Sequence, residues 1–374
     1  MDLTLSEEER QIRKAARELA EDNFAENAGQ WGPEKPVENL EVLAEHGYTG
    51  MTLPSEYGGG DASFFELVLA MEGIGEVCPD TARALQGTNN GNAHAVAIYG
   101  SERIKEEYLL PVCEGKATIA TAMSEPNVGS SVRDMETEAV EDGDELVING
   151  EKIYPHPKKD AYNTFVRMPD ENIGQVLIDP SNPGFKIQEP DYNLAGDPHS
   201  QIFIEDCRVS KDRILASGPD SFKKSITTYN ANRVTGVARG WVYAKWLFEE
   251  ALEYSQYRNQ GGQPIAEYQA VSHKLAEMAT KLEATRWLIY RSLSGDELPG
   301  RALSCMTRLF GTQRNHEVVD EALQIKGAAG FIGDTTESYA YARLRGDQIA
   351  GGTKEIHRNN VSKDLLENGY PDLE

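Results

Sequence analysis

A change of pattern near residue 117 constrains this chain most, because it divides the sequence into a helical, a β-like and a second helical stretch. Before it, apolar residues recur at helical spacing, as in LSEEERQIRKAARELAEDNF. After it, short apolar runs such as ELVINGEKIY and SQIFIEDCRV are separated by turn formers such as DPSNPG. Longer amphipathic stretches then return. This order predicts an α+β fold with an N-terminal helical domain (1–115), a central β-barrel or β-sandwich domain (116–225) and a C-terminal four-helix bundle (226–374).

Composition narrows the function classes. The chain has 61 acidic and 37 basic residues and a formal net charge of −24, so we expect neither nucleic acid nor an anionic membrane as a partner. A high-salt cytoplasm and an ordinary acidic surface both remain open as explanations of this charge. No apolar run approaches the about 18 residues of a membrane span, and the N-terminus lacks a signal peptide's apolar core, so we expect a cytoplasmic protein. Neither the 4 cysteines nor the 7 histidines have ligand spacing, and no metal site or disulfide framework is predicted.

Two loops of small residues offer candidate binding sites. AMSEPNVGSS (122–131) ends a strand-like run and supplies hydroxyl groups and uncovered backbone N–H groups. IAGGTKEI (349–356) places two glycines before a predicted helix, in which Thr353 can cap the first turn and Glu355 suits its positive end. Such loops bind anions or the polar edge of a ring.

Six motifs in order resemble those of the acyl-CoA dehydrogenase family. They are LPSEYGGG (53–60), YLLPVCEGKATIATAMSEP (108–126), INGEKIY (148–154), YRNQGGQPIAEYQAVSHKLAEM (257–278), ALQIKGAAGF (322–331) and AGGTKEI (350–356). The resemblance implies that FAD binds between the β-domain and the C-terminal bundle and across a subunit interface. It also implies oxidation of an acyl thioester between Cα and Cβ: a carboxylate removes the α-proton, hydride goes to the flavin N5, and electrons pass to an acceptor similar to electron-transfer flavoprotein.

Site residues follow from the resemblance position by position. Arg258 matches the arginine that reaches the FAD pyrophosphate of a neighbouring subunit, which implies a homodimer or homotetramer. The predicted cofactor-binding residues are Met123, Ser124, Gly129, Ser130, Tyr154, His156, Arg258, Gln269, Gln324, Gly327, Thr353 and Glu355. The predicted substrate-binding residues are Ser130, Tyr229, Asn232, Arg233 and Gly352.

The sequence departs from the family at the catalytic base. In many members the base is the Glu before the G-T pair, which is Gly351 here; in others it lies in an E-R pair, which is Asn232-Arg233 here. Neither residue can accept a proton near neutral pH. The catalytic base is therefore unassigned. Asp347 is the first candidate substitute, because a carboxylate near the usual site needs the least rearrangement; Tyr229, His156 and Asp160 are the other candidates.

Three functions remain open from the sequence. The first is an FAD-dependent oxidoreductase that dehydrogenates an acyl group on CoA or on a carrier protein. The second is a non-catalytic subunit that completes the FAD site of a sister chain in a hetero-oligomer. The third is a repurposed member of the family whose chemistry is not dehydrogenation.

Overall fold

A computed structural model describes residues 4–29, 32, 37–295, 298–333 and 335–370, which form two compact units. Unit 1 comprises Met1–Asn39, Ser63–Gln86 and Asn230–Glu374, and unit 2 comprises Leu40–Ala62 and Gly87–Tyr229. Within the described part of the chain, no helix has both the length and the apolarity needed to cross a bilayer.

Helices occupy both ends of the chain. The N-terminal helices are α1 (Glu7–Asn23), α2 (Val37–Glu45), α3 (Phe64–Gly75), α4 (Pro79–Thr88), α5 (Gly91–Tyr99) and α6 (Glu102–Cys113). The C-terminal helices are α7 (Ser221–Tyr257), α8 (Gln269–Leu293), α9 (Arg301–Lys326), α10 (Ala328–Phe331), α11 (Thr336–Asp347) and α12 (Lys354–Asn368). The pattern of N-terminal helices, middle β-structure and C-terminal helices is the predicted α+β fold.

Strands fill the middle of the chain. They are β1 (Ile119–Ala122), β2 (Glu138–Asp142), β3 (Glu145–Ile153), β4 (Ala161–Arg167), β5 (Ile173–Ile178), β6 (Phe185–Ile187), β7 (Asp191–Tyr192), β8 (Pro198–His199), β9 (Gln201–Ser210) and β10 (Ile214–Ala216). Two further short strands, β11 (Asn259–Gln260) and β12 (Gln263–Pro264), form a hairpin between α7 and α8.

Among the described residues, one eight-stranded sheet forms the centre of unit 2. Its order is β10-β5-β4-β2-β3-β9-β6, and β1 pairs in parallel with β4. The β2–β3 hairpin turns over Gly143, whose φ of 64° suits glycine in a tight turn. Along β9 the apolar residues Ile202, Ile204, Cys207 and Val209 are buried in one core, and the spacing shifts by one residue after Ile204, where the β3–β9 register changes.

Capping boxes start α1 and α3 of unit 1. Ser6 and Ser63 each accept a hydrogen bond from the backbone N–H three residues later, and Glu9 and Glu66 bond back to the caps. These motifs satisfy backbone donors that the first helical turn leaves unpaired. α1 packs against α3 inside the same unit.

A buried carboxylate joins α3 to α8 within unit 1. Glu72, on α3, is 3% exposed; it accepts bonds from Arg286 Nη2 at 2.8 Å and from the Tyr290 hydroxyl at 2.9 Å. Arg13 of α1 lies 3.6 Å from the same carboxylate. Burial raises the pKa of Glu72, while the cations of Arg286 and Arg13 oppose that shift. The interaction therefore depends on keeping both partners.

We expect Glu72→Ala to lower the free energy of unfolding by about 3–5 kcal/mol, because the Arg286 cation would stay partly buried without its carboxylate. Denaturant unfolding of the FAD-loaded chain measures this change. Glu18→Ala is the matched control, since Glu18 is 59% exposed in its pair with Lys14 and such surface pairs contribute about 0–1 kcal/mol. Equal effects of the two substitutions would contradict the prediction.

Candidate functional site

The loop at 123–131 lies at the end of β1 in unit 2. The Ser124 carbonyl oxygen accepts the Ile153 N–H at 2.8 Å, which joins the loop to the end of β3. Met123 is partly buried, whereas Gly129 and Ser130 are exposed. A Cβ built on Gly129 would meet no atom within 4 Å, so the backbone there is open to a ligand. The structure thus presents the predicted loop residues at an accessible edge.

A buried ion pair holds this loop in place, and sequence reasoning missed it. Lys152 is fully buried, and its Nζ donates to Glu125 Oε1 at 2.7 Å and to the Met123 carbonyl at 3.3 Å. Glu125 also accepts the backbone N–H groups of Glu136 and Thr137. Burial lowers the pKa of Lys152 to about 8, and the bond to Glu125 opposes that shift. In the sequence, this ion pair is indicated only by the presence of Lys152 in INGEKIY and of Glu125 in SEP.

Tyr154 and His156 lie next to the same loop. Tyr154 follows β3 with a φ of 72° and is 68% exposed. Its carbonyl accepts a bond from His199 Nδ1 at 2.7 Å, which fixes the proton on that nitrogen of His199. The His156 ring lies 4.7 Å from the His199 ring, between centroids. An exposed aromatic face beside an open backbone loop fits a flavin ring, as the motif positions predict.

Unit 1 carries the remaining predicted cofactor residues on three helix ends. Arg258 follows α7 and Gln269 begins α8; the Ile265 N–H bonds the Arg258 carbonyl at 2.8 Å, so the β11–β12 hairpin brings these helix ends together. Both side chains are exposed, as is Gln324 near the end of α9. Gly327 caps α9 with a φ of 61°. Exposed guanidinium and amide groups are the donors that a pyrophosphate requires.

Thr353 caps α12 as predicted: its hydroxyl accepts the Ile356 N–H at 3.3 Å. Glu355 is exposed in the first turn of α12. A hydrogen bond from its own backbone N–H group lowers the pKa of its carboxyl group. Gly351 and Gly352 precede the cap with φ values of 75° and 105°. Both glycines therefore have a backbone that side-chain residues rarely adopt.

The two expected base positions are occupied by neutral groups with local roles. Asn232 Oδ1, on α7, accepts a bond from Gln86 Nε2 at 2.9 Å. Gly351 has no side chain, but its carbonyl lies 3.4 Å from Arg233 Nε. Tyr229 is half-buried one turn before Asn232 on the same helix. Of the predicted substrate-binding residues, Arg233 lies beside the turn that contains Gly352, since its Nε contacts the neighbouring Gly351 carbonyl, and Asn232 precedes Arg233 on α7.

Asp347 is bound in an ion pair. It is 5% exposed, and its Oδ1 accepts a bond from Arg239 Nη2 at 2.5 Å and lies 3.9 Å from Arg308 Nη2. Arg239 also donates to Gln86 at 3.3 Å, which links Asp347 to the Asn232 position. This geometry does not favour the predicted role of Asp347 as a base, because its carboxylate is buried and is already bonded to Arg239.

Arg308 and His357 are two residues that motif matching did not find. Arg308, on α9, donates from Nη2 to the carbonyl oxygens of Asp347 at 3.0 Å and Ala350 at 2.8 Å. His357, on α12, is 1% exposed. The pKa of His357 is lowered to about 3, mainly by burial and in part by the cations of Arg233 and Arg308. The imidazole is therefore neutral.

Comparisons with known proteins agree with this arrangement. Three family models match: the acyl-CoA dehydrogenase N-terminal domain over residues 6–116, the middle domain over 120–207 and the C-terminal domain over 222–366. The chain is 32% identical to a 3-sulfinopropanoyl-CoA desulfinase of Paraburkholderia xenovorans, over 97% of each chain. The chain belongs to the acyl-CoA dehydrogenase family. Its cofactor is FAD, and its activity class is that of an FAD-dependent oxidoreductase of acyl thioesters.

Two further known proteins match the present chain over almost its whole length. The present chain is 28% identical to the caffeyl-CoA reductase–Etf complex subunit CarC of Acetobacterium woodii, over 96% of this chain and 99% of CarC. The butyryl-CoA dehydrogenase structure of Megasphaera elsdenii has a TM-score of 0.88 and 25% identity, over 98% of this chain and 100% of the other. The family itself therefore includes both dehydrogenation and desulfination, and membership alone does not fix the reaction.

We predict that Arg258→Ala raises the dissociation constant of FAD by about 10-fold or more, because a charged hydrogen bond contributes about 1.5–3 kcal/mol. Fluorescence titration of the apoprotein measures this constant. Arg301→Ala is the control, since Arg301 is also an exposed arginine of unit 1. Unchanged FAD affinity would remove Arg258 from the cofactor site.

Asp347→Asn tests the structural role of this carboxylate. We expect the substitution to lower the free energy of unfolding by about 2 kcal/mol. Arg239 would keep a hydrogen-bond acceptor, but the negative charge that balances its guanidinium group would be gone. Turnover per FAD-loaded molecule should stay within about threefold, since a paired carboxylate is not the base. Asp320→Asn, at an exposed position of α9, is the control. A large loss of turnover at unchanged stability would restore Asp347 as the base.

Proposed function

We propose that the substrate is a short acyl-CoA with an anionic group on Cβ, and that the reaction removes this group, as in the desulfinase relative. The observation that supports this proposal most directly is the replacement of both base positions by Gly351 and Asn232. Dehydrogenation has to begin with loss of the α-proton, and desulfination does not.

The proposed reaction is an internal oxidation and reduction of the acyl thioester: sulfur is oxidised and Cβ is reduced, so the reaction balances without an external oxidant. The bond between Cβ and sulfur breaks and its electron pair stays on Cβ, which gains a proton. The sulfur group takes up the hydroxide of the same water molecule. One molecule of 3-sulfinopropanoyl-CoA and one water thus give propanoyl-CoA and hydrogen sulfite. FAD, when bound, supplies a redox-active ring beside Cα and Cβ.

The chain's own residues have defined tasks in this proposal. Loop 123–131, fixed by the Lys152–Glu125 pair, positions the thioester through backbone donors, as the family resemblance implies. Arg258 and Gln269 hold the pyrophosphate, and Thr353 fixes the turn before α12. Tyr154 and His156 would contact the ring of bound FAD. The absence of a carboxylate at position 351 protects the α-proton from removal.

A second candidate is α,β-dehydrogenation with an Etf-type acceptor, which the similarity to the CarC subunit favours. It needs a proton acceptor that Gly351 and Asn232 do not provide, so a sister chain or another residue has to supply it. For either reaction we propose a cytoplasmic homodimer or homotetramer, on the basis of the role implied for Arg258. A hetero-oligomer belongs to the second candidate.

Product analysis separates the two reactions. The FAD-loaded chain is incubated with 3-sulfinopropanoyl-CoA, and hydrogen sulfite and propanoyl-CoA are quantified. A parallel assay follows bleaching of the flavin by butanoyl-CoA with an artificial electron acceptor. We expect release of hydrogen sulfite and no bleaching by butanoyl-CoA. Bleaching by butanoyl-CoA without any release of hydrogen sulfite would overturn the proposal.

We predict that Gly351→Glu confers bleaching by butanoyl-CoA, because it places a carboxylate where many family members carry their base. Gly351→Gln is the matched control: it has the same size and the same backbone strain at a φ of 75° but cannot accept a proton. An increase of about 10-fold or more over the Gln variant is expected. Equal rates would show that position 351 does not face Cα.

A further inference from the structure

Three buried side chains in unit 1 converge on the turn before α12. They are Arg233 of α7, Arg308 of α9 and His357 of α12, and they are 6%, 4% and 1% exposed. The two guanidinium groups carry the positive charge and the imidazole is neutral; the three side chains are here called the cationic cluster. Arg308 donates to the Asp347 and Ala350 carbonyls, and Arg233 donates to the Gly351 carbonyl. Both guanidinium groups are thus anchored to the turn that carries Gly351 and Gly352.

His357 indicates a missing ligand atom. Neither ring nitrogen has a well-aligned hydrogen-bond partner within the described part of the chain, although a contact with the Gly352 backbone opposes the lowering of the His357 pKa. A Cβ on Gly352 would lie 3.1 Å from Cε1 and 3.3 Å from Nε2 of His357. Glycine at 352 therefore allows the backbone to approach this edge of the imidazole closely. Because buried polar groups are normally paired, ring nitrogens without a well-aligned partner are evidence of a ligand position.

Gly351 leaves space beside the second guanidinium group. A Cβ built on Gly351 would lie 3.5 Å from Nη2 and 3.6 Å from Cζ of Arg308. A side chain at position 351 would therefore project toward Arg308, and many family members place a glutamate at this position. Here the same space is left for an atom of the ligand. Asp347 is the acidic group of this region, 3.9 Å from Arg308, and it is bonded to Arg239.

We infer that the cationic cluster binds the oxyanion at the acyl end of the substrate, a sulfinate or a carboxylate, in the space beside Gly351. The anion accepts hydrogen bonds from Arg308, from Arg233 and from the imidazole N–H of His357. Planar guanidinium groups suit the two oxygens of such an anion. The inference rests on the proposed function only in that the ligand is an acyl-CoA. It assigns the specificity for an anionic acyl group to three residues that no family motif contains as a set.

Succinyl-CoA tests the binding site without turnover, because its carboxylate replaces the sulfinate and has no sulfur to release. Calorimetry compares its affinity for the FAD-loaded chain with that of neutral butanoyl-CoA. We expect succinyl-CoA to bind at least tenfold more tightly. Gly351→Glu should reduce succinyl-CoA affinity at least tenfold relative to Gly351→Gln, while the affinity for CoA without an acyl group differs by less than threefold between them. The two variants share the same size and strain, so only charge separates them.

A second pair of variants tests the imidazole. His357→Phe keeps the ring volume and removes the N–H, and we expect at least a fivefold loss of the preference for succinyl-CoA. His46→Phe, at an exposed position of unit 2, should leave that preference unchanged. Equal affinity of the wild type for both acyl-CoAs, or equal effects of Gly351→Glu and Gly351→Gln, would overturn the inference.

The outcomes for the two proposals are separable. If succinyl-CoA is preferred and the Glu and Gln variants differ, but no hydrogen sulfite is released, the anion site stands and desulfination fails. If hydrogen sulfite is released without any preference or charge effect, desulfination stands and the assigned site fails.

Discussion

The candidate site depends on the hydrogen bonds that Arg308 donates to the turn between α11 and α12. The last carbonyls of a helix have no partner within it, and here one buried guanidinium satisfies both Asp347 and Ala350. Asp347 lies 3.9 Å away and offsets part of the buried positive charge. This arrangement fixes where the glycine pair turns, and therefore where α12 begins and where His357 points.

Local signals in the sequence were enough for the fold and for the start of α12. The change from helical to alternating periodicity predicts the order of helices and strands, and β9 buries apolar residues of SQIFIEDCRV in one core, although their spacing shifts by one residue after Ile204. Thr353 is a cap because its hydroxyl accepts the backbone N–H of Ile356, three residues later. This bond needs no contact with a distant part of the chain. Such features depend on neighbours within a few residues, and the printed sequence contains all of them.

Partners distant in sequence set the properties of the site, and these were not predictable. Asp347 was chosen as a base because it lies four residues before Gly351, but its carboxylate bonds Arg239, 108 residues away. Asn232 is bonded by Gln86, 146 residues away. The support of loop 123–131 by Lys152 is likewise a tertiary contact. Proximity along the chain gives a candidate, whereas the direction and charge state of the side chain depend on packing.

The two departures from the family, Gly351 and Asn232, both remove a negative charge that other members carry at the catalytic base. Where a glutamate stands before the G-T pair, the protein itself supplies an anion in this region, and that anion removes the α-proton. In this chain Gly351 and Asn232 are neutral, and Asp347 is engaged by Arg239 and Arg308. A substrate that brings its own oxyanion complements Arg233, Arg308 and the neutral His357, and it needs no protein base if the Cβ substituent itself departs. The glycine at position 351 therefore accounts both for the missing base and for the space in which we propose that an anionic acyl group binds.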